Sequence, residues 1–238
     1  MKNFFGVLLI FIVLSASNFA VQAQTFRIEA GYSQPNIYSN LISDRTFQGI
    51  NLGVNVELEV PNLEFLSLHT GISYHFMFSD NSQRSRFGTP LNDSIRIQTQ
   101  GHQLRIPIYL QASQTVFRVL RGTVFAGPSI HIGLAMPQEI TTRINPDFWD
   151  LVSLNGYYRL NETADLYSDR VHRFNLSLDA GLALDWWRLQ LRGGYSFGVL
   201  NLNKWQQPVD APIEFINVSR DQMRLRQSGW FVSLGYRF

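Results

Sequence analysis

Apolar and polar residues alternate one by one through much of this chain. The clearest case runs from 49 to 60, where every second residue is apolar. Successive side chains of a β-strand point to opposite faces, so this period of two predicts a strand with one apolar and one polar face. The last segment repeats the pattern, and one of its faces carries only Trp230, Val232, Leu234, Tyr236 and Phe238.

Eight segments share this alternation and predict eight antiparallel strands. Their approximate ranges are 26–33, 49–60, 66–78, 103–111, 123–134, 174–185, 189–199 and 230–238. Most have the roughly ten residues that a tilted strand needs to cross a bilayer, whereas strands of soluble sheets average about five or six. The strand lengths therefore favour a membrane-spanning sheet.

Short and long connections alternate between these strands. Short ones are predicted at Pro61-Asn62, at about 114–121 and at Trp186-Trp187-Arg188. Long ones are predicted at about 34–46, 79–98, 137–170 and 201–222. Short periplasmic turns and long extracellular loops are typical of bacterial outer-membrane barrels. We therefore predict an all-β fold for residues 24–238: an eight-stranded antiparallel up-and-down transmembrane β-barrel in the outer membrane, with both termini periplasmic.

The first 23 residues have the plan of a secretory signal peptide. Lys2 is the only charged residue before Arg27, an apolar stretch follows it, and Val21-Gln22-Ala23 places small residues at a cleavage site after Ala23. The apolar stretch is shorter than the roughly 20 residues of a membrane anchor. We expect residues 1–23 to be removed and the mature chain to begin at Gln24.

Composition fits an exported barrel. Mean hydropathy is −0.07, as expected where lipid-facing and lumen-facing residues alternate. The formal net charge of +2 argues against nucleic acid as a partner. The chain has no cysteine, so an exported form would depend on packing and hydrogen bonds rather than disulfides.

A secreted lipocalin-like barrel is the alternative eight-stranded fold, with an apolar interior and a polar exterior. The predicted polar faces of this chain carry mainly Gly, Ser and Asn with few charges. A soluble exterior would be roughly a quarter to a third charged. The composition of the two faces favours the membrane barrel, with the apolar face toward lipid.

Several short motifs resemble the PorT-like outer-membrane β-barrel proteins of the Bacteroidota. Leu104-Arg105-Ile106-Pro107-Ile108-Tyr109-Leu110 resembles the "IP" strand of that family, and Phe125-Ala126-Gly127-Pro128-Ser129 resembles its "AGPS" strand. Asp179-Ala180-Gly181-Leu182 and Tyr195-Ser196-Phe197-Gly198-Val199 are similar to later strands. The best-known members take part in type IX protein secretion, so the resemblance implies an accessory role in such a system.

Titratable side chains on the predicted inner face are the candidate site residues. Imidazole and carboxylate both bind divalent metals, but no spacing here fixes a coordination set. Because buried charges need partners, we predict instead a network of ion pairs in the lumen. Its histidines and carboxylates are His69, His75, His131, Glu57, Glu59, Asp179 and Asp185, and its cations are Arg27, Arg105, Arg192 and Arg237. No catalytic, cofactor-binding or metal-binding residue is predicted.

These patterns lead to a non-enzymatic barrel with a structural or partner-binding role. A small pore is the alternative, and a membrane-embedded lipid-modifying enzyme is less favoured because no local Ser-His-acid signature is present. Expected partners are outer-membrane lipid and lipopolysaccharide, the barrel-assembly machinery, and secretion-complex or surface proteins.

The sequence leaves the roles of two loop features undecided. Trp149, Tyr157 and Tyr158 of the third long loop could form a contact surface, fold over the barrel mouth or lie in the outer leaflet. Asp93-Ser94-Ile95 resembles an O-glycosylation acceptor of these bacteria.

Overall fold

A computed structural model describes most of the chain beyond the predicted signal peptide. The described ranges are 24–39, 45–84, 94–117, 119–143, 162–169, 171–204 and 224–238. The predicted signal peptide at 1–23 lies outside them. No helix within these ranges is long and apolar enough to cross a membrane.

The described residues form eleven strands and one short helix. These are β1 (Gln24–Ser39), β2 (Arg45–Thr46), β3 (Gln48–Val60), β4 (Leu63–Arg84), β5 (Ser94–Phe117), β6 (Leu120–Ala135), β7 (Pro137–Arg143), β8 (Glu162–Asp165), α1 (Leu166–Asp169), β9 (Phe174–Trp186), β10 (Leu189–Gly198) and β11 (Leu225–Arg237).

Eight of these strands close into a ring in the order β4-β3-β1-β11-β10-β9-β6-β5. The pairing of β4 with β5 completes the circle. The first and last strands of the ring are neighbours, because Arg27 of β1 lies opposite Arg237 of β11. All of these pairs are antiparallel, so the predicted eight-stranded up-and-down barrel is confirmed.

The exterior of the ring is apolar and the interior is polar. Outward side chains such as Leu52 and Leu182 are 61% and 65% exposed, whereas the inward Arg27 and Ser67 are each 1% exposed. A soluble barrel would have the opposite arrangement, and a lipid-facing exterior accounts for this one. The predicted assignment of faces is therefore confirmed, and the lipocalin-like alternative is excluded.

Tight turns join the strands at one end of the barrel, which we call the turn end. Asn62 and Trp187 stand in the left-handed region there, with φ of 65° and 56°. Asn tolerates this conformation well, whereas a bulky residue such as Trp seldom adopts it. The third connection at this end lies between Phe117 and Leu120, so it is shorter than the predicted 114–121.

At the opposite, loop end several strands extend beyond the predicted bounds. The segment predicted as a loop at 79–98 is largely strand, because β4 continues to Arg84 and pairs there with Ser94 of β5. β1 likewise continues to Ser39 within the predicted loop at 34–46. Backbone pairing continues here after the apolar–polar alternation has stopped, so the polar sequence predicts a loop where the strand in fact continues.

A small sheet stands beyond the ring at the loop end. It consists of the outer parts of β4 and β5 together with β7 and β8, which fall within the predicted third loop. Ser94 of β5 pairs with Arg143 of β7, and Ile140 of β7 pairs with Glu162 of β8. We call this four-stranded unit the loop-end sheet.

Pairing is interrupted around Pro107, whose ring nitrogen has no N–H to donate to a neighbouring strand. Between β4 and β5 the recorded pairs pass from Thr70↔Ile108 directly to Ser73↔Arg105. Between β5 and β6 they pass from Pro107↔Ser129 to Leu110↔Ala126. A Cβ atom at Gly127 would overlap the Ile108 carbonyl oxygen, so only glycine fits this close approach.

Candidate functional site

The lumen near the turn end is filled by a network centred on Arg27. Its guanidinium Nη2 lies 3.0 Å from Glu57 Oε2 and 3.4 Å from Asp185 Oδ1. Arg121 contacts Glu57 at 3.4 Å, and Gln190 donates to Asp185 at 3.0 Å. Each carboxylate therefore has a cationic partner and a neutral or second cationic donor, which is what a buried charge requires.

A second network surrounds the Asp179 carboxylate in the middle of the barrel. Oδ2 accepts hydrogen bonds from Arg105, from Ser129 and, at 2.6 Å, from the Tyr109 hydroxyl. Oδ1 accepts from Ser177 at 2.9 Å. Because these donors come from β5, β6 and β9, the network ties together three adjacent strands of the ring.

Aromatic rings and guanidinium groups fill the space between these networks. Tyr109, Phe125 and Phe231 are buried together, with centroids 5.1 Å apart for the first pair and 6.3 Å for the second. The guanidinium carbon of Arg105 lies 4.6 Å from the centroid of Phe231, and that of Arg192 lies 5.1 Å from Phe125. We call these five residues the aromatic–arginine layer; it brings cations over aromatic faces inside the barrel.

The predicted ion-pair network is present, with two corrections. Glu59 is exposed at the turn end, and Arg237 donates to the Trp187 carbonyl oxygen at 3.1 Å. The alternation places both residues on the inward-facing side of their strands. They lie at the turn end, however, beyond the part of the lumen that is enclosed by the barrel wall. Two members were missed: Arg121, which was predicted to lie in a connection, and Glu29, 3.9 Å from Arg192.

The charges that are ion-paired inside the described barrel are balanced in sign. The cations are Arg27, Arg105, Arg121 and Arg192, and the anions are Glu29, Glu57, Asp179 and Asp185. Equal numbers of opposite charges lower the cost of keeping them away from water.

The three inner histidines face different partners. His69 stacks on Tyr109 at 5.7 Å and lies 2.7 Å from Arg192. His75 lies 3.1 Å from the Ser73 hydroxyl, and His131 lies 2.9 Å from the Ser177 hydroxyl. Within the described ranges, no group of three or more histidine and acidic side chains is placed to hold a metal ion.

A cluster of apolar side chains closes the barrel mouth at the loop end. We call it the cap; its buried members are Phe47, Met77, Met136, Leu166, Tyr167, Val171 and Leu202. Leu166 and Tyr167 belong to α1, so the described part of the third long loop folds over the mouth. Trp149, Tyr157 and Tyr158 lie outside the described residues.

Tyr167 anchors this cap to the barrel wall. Its hydroxyl accepts a hydrogen bond of 2.6 Å from Gln103, and its ring covers Gly133 so closely that a Cβ there would overlap it. Asp165 fixes the position of Tyr167 as well. Its carboxylate accepts hydrogen bonds from the backbone N–H groups of Met136 and Tyr167 at 2.9 and 3.2 Å. Burial raises the pKa of Tyr167 to about 12.

Only small cavities remain between these groups. Those recorded inside the described barrel have volumes of about 40, 30 and 10 Å³. The largest is lined by Ser33 and Asn175, whose buried polar side-chain atoms have no protein partner. Spaces of this size and polarity fit one or a few water molecules, so the described lumen is a packed interior.

The fold, the apolar exterior and the filled interior together define a small membrane-spanning β-barrel of the outer-membrane type. No family model matches the chain, and no curated protein matches it either. The likeness to known proteins is therefore one of fold alone.

Several solved structures of bacterial proteins are similar to the chain at low sequence identity. Ail, the attachment invasion locus protein of Yersinia pestis, is 11% identical, with 91% of this chain and 100% of that one covered and a TM-score of 0.37. Neisserial surface protein A is 8% identical at the same coverages, with a TM-score of 0.39. A major outer membrane protein from Thermus thermophilus is 14% identical at the same coverages, with a TM-score of 0.45.

Proposed function

We propose that this protein is a non-enzymatic barrel of the outer membrane that presents its loop-end sheet to protein partners outside the cell. The observation that carries this proposal is the contrast between the two parts of the molecule. The lumen is occupied by its own side chains, whereas β4 and β5 continue beyond the ring into a paired sheet. The surface beyond the membrane is therefore the part available for recognition.

In this proposal the loop end faces the outside and both termini face the periplasm. The tight turns at the opposite end support that orientation, because the periplasmic turns of outer-membrane barrels are short. The outward side chains indicate where the bilayer ends on the loop side. Phe78, on the lipid-facing side of β4, is followed two residues later by Asp80, which pairs with Arg96. The guanidinium of Arg96 lowers the pKa of the exposed Asp80 carboxyl through their hydrogen bond. This change from aromatic to charged side chains fits the boundary between hydrocarbon and headgroups.

A small pore is the second candidate, and the packing of the lumen disfavours it. The cap covers the mouth, and the aromatic–arginine layer occupies the middle of the barrel. An eight-stranded barrel has room only for its own side chains or one small ligand. Conduction would require both the cap and the aromatic–arginine layer to move.

The order in which His131, Ser177 and Asp179 are hydrogen-bonded to one another disfavours enzymatic activity. The Ser177 hydroxyl donates to the Asp179 carboxylate, and the His131 imidazole contacts the oxygen of the same hydroxyl. A hydrolytic triad instead places the imidazole between the nucleophilic hydroxyl and the carboxylate, so that the hydroxyl can be deprotonated. Here the serine holds the acid, which supports a structural role for the three residues.

An accessory role in type IX-like protein secretion is the finer form of the proposal. The resemblance of the 104–110 and 125–129 strands to PorT-like proteins supports it. In the structure these strands carry Pro107 and Gly127, which create the pairing gap, together with Arg105, Tyr109 and Ser129 of the Asp179 network. The motifs thus serve the barrel interior, and the role in secretion needs a separate test.

The test is cross-linking on intact cells, followed by gentle detergent extraction and identification of the proteins bound. Wild-type protein is compared with a variant in which residues 80–98 are replaced by Asn-Gly, a tight hairpin turn between the paired residues Ser79 and Thr99. We expect the variant to assemble as a heat-modifiable barrel but to lose its cross-linked partners. Secretion components among those partners would support the finer role. Partners that are the same for both proteins would contradict the proposal.

A further inference from the structure

The longer edge of the loop-end sheet has chemistry that the barrel itself does not use. The pairing of β4 with β3 ends at Phe78, opposite Gln48. Its pairing with β5 continues for six more residues, from Ser79 to Arg84. Among the described residues, no strand pairs with this part of β4 on the side where β3 has ended. We call Ser79–Arg84 the β4 edge.

A strand edge recognises one kind of ligand above others. In an antiparallel strand, successive residues direct their N–H and C=O groups alternately to the two sides. Every second residue of the β4 edge therefore directs a donor and an acceptor away from β5. An extended polypeptide matches such a row and can add to it as a further strand.

The sheet behind this edge is built to hold it in place. β5 continues the pairing of β4 without a register shift as far as Arg84↔Ser94, and β7 and β8 extend the sheet beyond β5. On the outer face, Arg96 and Gln98 of β5 both donate to Asp80. A rigid template loses less conformational entropy when a peptide binds to it.

The β4 edge lacks three of the devices by which proteins block strand addition. Natural edges are often protected by proline, lysine or a bulge. The segment Ser79-Asp80-Asn81-Ser82-Gln83-Arg84 contains neither proline nor lysine, and its ladder with β5 is regular. The opposite edge, β8, has only four residues and is tied to the cap through Asp165. The β4 edge is thus the better template.

We propose that the β4 edge binds an extended segment of a partner protein as an added β-strand. This inference rests on the proposed partner-binding function and names its chemistry: backbone hydrogen bonding to every second residue of the six-residue edge. Specificity would come from side chains beside Asp80, whose carboxylate already accepts from Arg and Gln side chains of β5.

The probe for this proposal is a peptide with the sequence of residues 94–100, Ser-Ile-Arg-Ile-Gln-Thr-Gln. In the folded protein this sequence pairs with β4 from the β5 side, so it suits the geometry of the strand. The full mature chain is placed in lipid nanodiscs, and binding of the fluorescent peptide is measured by anisotropy. Two further peptides carry N-methyl groups on alternate residues. In one peptide the methyl groups lie along one backbone edge of the extended peptide, and in the other they lie along the opposite edge.

Proline variants of the protein supply the matched control. Asn81→Pro and Ser82→Pro remove adjacent N–H groups, of which one faces β5 and the other faces the open side. Proline on the open side leaves the hairpin paired but obstructs strand addition. Amide hydrogen exchange of β5 identifies which variant keeps the hairpin.

We expect the unmodified peptide and one of the two methylated peptides to bind, and the hairpin-preserving proline variant to weaken binding at least tenfold. Absence of binding at millimolar peptide would overturn the proposal. The proposal would also be overturned if both methylated peptides bound equally well. The same holds if the hairpin-preserving variant bound the unmodified peptide as tightly as the wild-type protein does. If cellular partners depend on the loop-end sheet but are unaffected by that variant, the partner-binding function stands and the strand-addition inference fails alone.

Discussion

At the scale of single residues, the buried ion pairs and the close glycine contacts distinguish this barrel from a generic one. The Asp179 carboxylate accepts hydrogen bonds from side chains of its own strand and of neighbouring strands. Gly133 is required because the Tyr167 ring occupies the position of its missing Cβ. Both features act through neighbours on other strands, so substitutions at these two positions test the packing of the interior directly.

Replacing Asp179 by Asn should destabilise the barrel strongly. The change leaves the buried Arg105 guanidinium without its anion, and removing one partner of a buried pair costs about 3–5 kcal/mol. Urea-induced unfolding in lipid vesicles measures this loss. Asp80→Asn is the matched control because its pair with Arg96 is exposed, and we expect no measurable change. Equal stability of the two variants would contradict the assigned role of the Asp179 network.

Gly133→Ala should detach the cap without unfolding the barrel. The new methyl group would collide with the Tyr167 ring and displace α1 from the mouth. Gly122→Ala is the control, since a Cβ there meets its nearest neighbours at 3.7 and 4.0 Å, ordinary contact distances. We expect faster proteolysis and amide exchange at residues 162–171 in Gly133→Ala only. Unchanged rates would show that the cap does not depend on this contact.

At the scale of elements, two kinds of strand segment share one chain. Within the ring, apolar and polar residues alternate because one face meets lipid and the other meets the lumen. Beyond it, the outer parts of β4 and β5 keep their pairing with polar residues on the outer face, such as Asp80 and Gln98. The cap joins the two regions, because α1 packs on the barrel mouth and follows β8 of the loop-end sheet.

The cap should open in strongly alkaline solution. The folded protein raises the pKa of the Tyr167 hydroxyl from its ordinary value of 10.0 to about 12. This contribution to stability is complete below pH 10 and is lost as the pH rises through about 12, because the fold favours the neutral hydroxyl. Absorbance at 295 nm, taken as the difference between wild type and Tyr167→Phe, follows the ionisation.

The matching structural measurement is amide exchange of residues 162–171 between pH 9 and pH 12, corrected for the intrinsic effect of hydroxide. Protection that declines over the same interval as the tyrosinate signal forms would support the role of Tyr167. A Tyr167 that ionises near its ordinary pKa of 10.0 would contradict the buried hydroxyl.

At the scale of the whole molecule, a closed ring with a filled interior carries the loop-end sheet beyond one of its ends. Closure leaves no strand edge facing lipid, which the absence of water in a bilayer demands. The charges ion-paired inside the described part of the ring are balanced, and the cavities found among its lumen side chains have volumes of about 40, 30 and 10 Å³. The molecule is thus a sealed support for the structure at its loop end.

A sealed barrel should be electrically silent and heat-modifiable. We expect no unitary conductance steps in planar bilayers from the wild-type protein, because both the cap and the aromatic–arginine layer fill the lumen. Gly133→Ala should also be silent, since the layer remains after the cap has moved. Reproducible steps from wild type would favour the pore. Unchanged gel migration after boiling would contradict the barrel itself.

The amino-acid sequence was enough to predict the eight strands, their inner and outer faces, two tight turns and most charged residues of the lumen. It could do so because lipid on one side and a polar lumen on the other impose a period of two, which local sequence records. The folded structure was needed to show which charges meet, that Glu59 and Arg237 lie outside the lumen network, and that Tyr167 closes the mouth. It also decided how far β4 and β5 continue beyond the ring. These features depend on contacts between distant strands and on backbone pairing in polar segments, neither of which leaves a periodic signal in the sequence.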